Sequence, residues 1–132
     1  MEGKYIPLKD LHVYQLAKRL SVIGWKIYGG MDWKIRKIIG DQFITATDSV
    51  GANIAEGYLR YHFLDKIKFY YNARASHAEA VYHWLELLKE RGLVKKEDYE
   101  EMIKTSAELA PKLNKFIGLT YKMKDWNNKK LE

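Results

Sequence analysis

The shortness of the gaps between its apolar stripes constrains this chain more than any other feature. Four segments repeat apolar residues every three or four positions, and only residues 29–32, 57–62 and 92–95 separate them. That period is helical, because side chains three and four apart share one face of an α-helix. Links this short turn each helix back alongside the one before it. The sequence therefore predicts an all-α fold, an antiparallel up-down-up-down four-helix bundle. Its helices span about residues 11–28, 33–56, 63–91 and 96–122 of one domain, 1–132, with a frayed tail at 123–132.

Each segment has its own boundary signals. The first carries Val13, Leu16, Ala17, Leu20, Ile23 and Ile27, with Asp10 as the expected N-cap. Gly29-Gly30 is expected to end it in the left-handed conformation that suits glycine. The second carries Ile35, Ile39, Phe43, Ala46, Val50 and Ile54, with Gly57 as its expected stop. Thr45, Thr47, Ser49, Gly51 and Asn53 are poor helix formers, so this segment is expected to pack closely on a neighbour. The third is lined by Ile67, Tyr70, Tyr71, Ala75, Ala78, Val81, Leu85 and Leu88 and closed by Gly92. The fourth opens on Glu97 and Asp98, which suit the positive end of a helix dipole, and continues through Met102, Leu109, Leu113 and Ile117. Pro111 interrupts its hydrogen-bond ladder and predicts a kink.

Catalytic patterns are missing from the sequence. There is no cysteine, hence no thiolate nucleophile or thiolate zinc site, as suits a reducing compartment. His12, His62, His77 and His83 show no i, i+4 pairing. Gly29-Gly30 follows no strand and precedes no Gly-Lys-Ser/Thr, so it is not a phosphate loop. No apolar run approaches the roughly 18 residues of a membrane span. The expectation is a cytoplasmic, non-enzymatic protein with no metal, cofactor or membrane partner. Trp25, Phe69, Trp84 and Phe116 fall outside the stripes, which points to a homo-oligomer that covers them. The other aromatic residues, at helical spacing, read as core or subunit interface rather than as platforms for bases.

Charge is uneven along the chain. Residues 1–40 hold eight basic and three acidic side chains, residues 41–110 nine and twelve, and residues 111–132 six and two. In an up-down-up-down bundle the first helix start, the 57–62 link and the last helix end share one end. That end would gather Lys4, Lys9, Arg60, Lys66, Lys68, Lys115, Lys122 and Lys124, while the other holds Glu97, Asp98, Glu100 and Glu101, only partly offset by Lys34, Arg36, Lys37, Lys95 and Lys96. A one-ended positive field suits a polyanion, and RNA is the preferred expectation. A protein partner is the alternative.

One polar group also stands out. Ser49, Asn53 and Glu56 share a side of the second helix, and Ser76 and Glu79 a side of the third, at similar depths. They are expected to form a buried network that sets helix register. A ligand or RNA-phosphate site is the other reading, which two glutamates disfavour.

The same residues carry a resemblance. Ser49-Val50-Gly51-Ala52-Asn53-Ile54-Ala55-Glu56-Gly57 resembles the Ser-Ile-Pro-x-Asn-Ile-Ala-Glu-Gly signature of the four-helix-bundle proteins encoded in 23S rRNA intervening sequences. Leu11-His12-Val13-Tyr14-Gln15-Leu16-Ala17 is similar to that family's opening Leu-x-Val-Trp-x-x-Ala. Ser76-x-x-Glu79 and Gly92-Leu93-Val94-x-x-Glu97-x-Tyr99 resemble its third helix and last turn. The resemblance implies a homopentamer around a central channel. It also implies a likeness in fold to the accessory variability determinant of diversity-generating retroelements, a pentamer that binds nucleic acid. It implies no settled activity.

Overall fold

The computed structural model describes residues 5–131, with side chains to residue 127. The described residues form four long helices and no strand. A short 3-10 turn, Leu8–Asp10, leads into α1, His12–Gly29. Helix α2 covers residues 33–58 and contains a π-helical stretch, Arg36–Gly40. Helix α3 covers residues 63–90 and contains a second one, Ala78–Leu85. Helix α4 is Lys96–Leu131. Each helix packs on its neighbours in the chain, and α1 closes the ring against α4. This is the predicted bundle, with Leu16, Leu20, Phe43, Ile54, Tyr70, Leu85, Met102, Leu109 and Leu113 in its core. Among the described residues no helix is long and apolar enough to cross a membrane.

Several local expectations are corrected. Helix α4 continues to Leu131 rather than fraying after 122, since residues 123–131 contain neither glycine nor proline to stop it. It is also an unbroken α-helix through Pro111. Two π-helical stretches, in α2 and α3, were not expected, and no proline or glycine pair announces them. Asp10 belongs to the 3-10 turn, and Leu11, which has no capping side chain, occupies the cap of α1. Gly30 ends α1 in right-handed geometry, and among the described residues only Gly92 has positive φ, 67°. The buried side of α3 runs through Ile67, Tyr70, Ala73 and His77, leaving Tyr71 and Ala75 exposed. A stripe can advance by three or four residues, and the bundle buries the step of three from Tyr70 to Ala73.

Two glycines of α2 have different jobs. Gly57 is a close-approach residue and not a stop, because a Cβ there would lie 2.8 Å from Phe69 Cβ, 2.8 Å from Tyr70 Cε1 and 3.0 Å from the Lys66 carbonyl. The tight packing expected of the second helix is met at Thr47, whose Cγ2 would lie 2.9 Å from a Cβ at Gly24 of α1, and Gly57 adds a close approach to α3. At Gly51 a Cβ would meet Ala17 Cβ at 3.6 Å and Tyr14 Cε1 at 3.8 Å, which is ordinary contact. Gly51→Ala should therefore raise stability by about 1 kcal/mol through helix propensity. Gly57→Ala should lower it by about 1–3 kcal/mol through overpacking. Urea melts of the two variants would check both, and equal signs would contradict these assignments.

Candidate functional site

The end of the bundle that holds the start of α1, the 59–62 link and the end of α4 is closed by a capping device that the opposite end repeats. Tyr58 closes α2, and Lys66, eight residues on in α3, donates from Nζ to the Tyr58 carbonyl at 2.7 Å. The same ammonium lies 5.4 Å from the Tyr58 ring centroid. Partial burial pulls the Lys66 ammonium below the usual lysine range. At the other end Tyr28 and Arg36 repeat the spacing. Arg36 Nε donates to the Tyr28 carbonyl at 3.3 Å, Nη2 to the Gly29 carbonyl at 3.4 Å, and the guanidinium covers the Tyr28 ring at 4.5 Å. Each cation satisfies carbonyls that a helix C-terminus leaves open and suits the negative end of its dipole.

The predicted cations reach this end by different routes. Ile6 accepts a hydrogen bond from the Tyr58 hydroxyl, which fixes the chain before α1 beside the end of α2. Lys115 lines a groove with Ile6, Leu11, Val13, Phe116 and Leu119. Lys122 lines a second with Phe63, Leu119, Met123 and Trp126, and Lys124 a third with Tyr61, His62, Leu64 and Asp65. Lys9 and Lys68 are exposed, whereas Lys4 lies outside the described residues. Three cations are engaged. Lys66 is the cap just described, Arg60 pairs with Glu56 at 3.3 Å and covers the Phe69 ring at 4.8 Å, and Lys124 lies 3.8 Å from Asp125. Lys66 is therefore corrected from a phosphate contact to a structural residue. Eight residues separate it from Tyr58 as eight separate Arg36 from Tyr28, and that repeat is the signal in the sequence that would have found both.

The polar cluster is not a buried network. Ser49 donates to the Thr45 carbonyl at 2.7 Å and Asn53 to the Ser49 carbonyl at 2.9 Å, both within α2. Glu56 and Glu79 are exposed, and Glu79 accepts from the Trp84 indole at 2.8 Å. Ser49, Ser76 and Glu79 do come together with Asp41, Gln42 and Thr45 around an open groove of about 290 Å³, which Asn53 and Glu56 do not line. Short side chains that can bond the carbonyl four residues back have no need of a partner helix. The buried polar link between helices is one the sequence did not flag: His77 Nε2 and Ser106 Oγ lie 2.7 Å apart between α3 and α4. His77 is 2% exposed, and burial lowers its pKa. At the acidic end Asp98 is buried and paired with Lys26 at 3.2 Å.

The aromatic residues outside the stripes are also partly reassigned. Phe69 lies under Arg60, Trp84 is tied to Glu79, and Phe116 packs on Tyr70 with ring centroids 4.8 Å apart. Trp25 is exposed as expected and stacks on Tyr28. Among the described residues no group of three or more His, Asp or Glu side chains could hold a metal ion.

The fold is that of an antiparallel four-helix bundle. The family described as 23S rRNA-intervening sequence protein matches residues 9–115, most of the chain. The chain belongs to that family. A solved structure from Bacteroides thetaiotaomicron, described as a protein with unknown function from the S23 ribosomal protein family, is similar with a TM-score of 0.70. It is 24% identical, and the match covers 80% of this chain and 97% of that one, a likeness of fold. No curated protein matches this sequence.

The His77–Ser106 pair predicts a pH dependence of stability. Native His77 stays neutral below the pH at which an unfolded histidine, with a pKa of about 6.5, takes up its proton. The unfolded chain then binds more protons, so stability is full above about pH 6.5 and falls below it, until the lowered native pKa is reached. The slope in that window stays below about 1.4 kcal/mol per pH unit, the limit for one proton. Thermal melts from about pH 7.5 to 5.5 should show a steeper loss for the natural chain than for His77→Gln. Parallel curves would remove His77 as the cause.

Proposed function

We propose that this protein is a non-catalytic, oligomeric RNA-binding module that meets the phosphate backbone with the Lys-rich end of its bundle. The observation that carries this reading is the balance of charge at that end. Lys9, Arg60, Lys66, Lys68, Lys112, Lys115, Lys122 and Lys124 outnumber the carboxylates among them, Asp10, Glu56, Asp65, Glu108 and Asp125, with Glu108 3.9 Å from Lys112. Of these cations, Lys9, Lys68, Lys115 and Lys122 have no carboxylate within 4.0 Å among the described residues. Free ammonium groups contact phosphates and release counterions, giving binding that depends steeply on salt and little on sequence. A ring of copies would add such contacts together. Exposed Val22, Trp25 and Ile38 lie away from the 59–62 link and supply apolar surface for that assembly.

A protein partner is the rival. The groove lined by Ile6, Leu11, Val13, Phe116 and Leu119, about 350 Å³, favours it because apolar lining suits a side chain better than a phosphate. Absence of RNA binding at about 50 mM salt would hand the function to this reading.

Lys68, Lys115 and Lys122 should be replaced by glutamine together, with a structured RNA titrated between about 50 and 200 mM salt. Affinity should fall more than about tenfold, and the log–log salt slope should shrink by about two to three. Lys66→Gln should instead lower the melting temperature and change the slope by less than one. An unchanged affinity and slope in the triple variant would place binding elsewhere. Light scattering of the free protein should give a mass of several chains, with five the proposed number. A monodisperse monomer at micromolar concentration would refute the assembly.

A further inference from the structure

The proposed RNA-binding end carries more than charge. The 59–62 link displays Tyr61, 89% exposed, with its ring 5.1 Å from that of His62 in an edge-on arrangement. Tyr61 belongs to no helical stripe, so neither core packing nor helix periodicity explains an aromatic residue here. Behind it opens a cleft of about 800 Å³, bounded by His62, Phe63, Leu64, Asp65, Lys124 and Asn127. A smaller hollow of about 310 Å³ adjoins it through Phe63 and Asn127, and places Trp126 beside Lys122 and Met123. Tyr61 and Lys124 thus line the cleft, Trp126 and Lys122 line the hollow that adjoins it, and Lys68 stands about one turn beyond Leu64.

We infer that this cleft takes unpaired nucleotides, with bases against the Tyr61 and Trp126 rings and phosphates on Lys68, Lys122 and Lys124. The inference rests on the RNA-binding reading above and names the form of RNA that the site selects. Base faces are free for side-chain stacking only where a strand is single, whereas a duplex offers chiefly its backbone. A site of lysines alone would treat the two alike. Interleaved rings and cations favour the single strand and tolerate any sequence, because every base has a π-face. The Asp65 carboxylate repels phosphate, but it can accept from an exocyclic amino group, and the Asn127 amide can pair with either kind of base edge.

The test compares Tyr61→Leu, Tyr61→Trp and the Tyr61→Leu/Trp126→Leu double variant with the natural chain. The probes are a labelled oligouridylate and a blunt RNA duplex of equal length, at one salt concentration. Tyr61→Leu should weaken oligouridylate binding about tenfold and the double variant further, while duplex affinity stays within about twofold. Tyr61→Trp should restore the single-strand affinity. Tyr61 is too exposed for the fold to depend on it, and far-ultraviolet circular dichroism would verify that. Equal losses on both probes, or no loss even in the double variant, would overturn the stacking site and leave RNA binding by charge intact. A reduced mass of the Tyr61→Leu assembly would also overturn it, by making the cleft a subunit contact. A natural chain that binds neither probe would overturn the parent reading and this one together.

Discussion

Much of this structure depends on the approach of α2 to α3 at Gly57, within their extensive shared contact. A methyl group there would lie 3.0 Å from the carbonyl of Lys66, so the two backbones meet with almost nothing between them. That closeness lets the Lys66 ammonium reach the Tyr58 carbonyl and settles Tyr70 beneath the end of α2. The helix then ends without a left-handed glycine, and the link can turn within four residues. Arg36 does the same for α1 at the opposite end. A cation from the following helix replaces the usual glycine cap, and a tyrosine ring holds it in place. The third link has no such cation and uses Gly92, with Leu93 donating to the Leu88 carbonyl at 2.8 Å.

This device divides the basic residues into two kinds. Lys66 and Arg36 direct their hydrogen bonds inward, yet their charge still adds to the field felt at a distance. Lys68 and Lys122 add to that field and are also free to touch a phosphate. One-ended charge therefore survives the reassignment of Lys66, while the number of possible contacts falls. Steering and contact follow different distance laws. A hydrogen bond to a neutral carbonyl occupies the donor without cancelling its charge, so it removes a contact and leaves the field.

The polar residues divide in a similar way. Ser49 and Asn53 stand at positions that suggest a bridge to α3, yet each bonds the carbonyl four residues back in its own helix. His77 and Ser106 drew no notice as a pair, because 29 residues separate them and nothing local joins them. Burial between α3 and α4 makes that hydrogen bond costly to break, since neither group could turn to water instead. What remains of the predicted cluster is the groove at Ser49, Ser76 and Glu79.

The number of helices, their order around the ring and the sharing of ends were all legible in the sequence. They follow from periodicity and link length, both set by the backbone geometry of neighbouring residues. The phase of α3 was not legible, since Ala73 or Ala75 could each have continued its stripe until packing in the bundle chose between them. Nor were the roles of the glycines, because Gly51 and Gly57 look alike until the distance to a partner helix is known. The same holds for the cations and for Tyr61, whose exposure depends on a link that folds away from the core. Whether a side chain caps, packs or waits for a ligand is decided by atoms far away in the chain, and only packing brings those within reach.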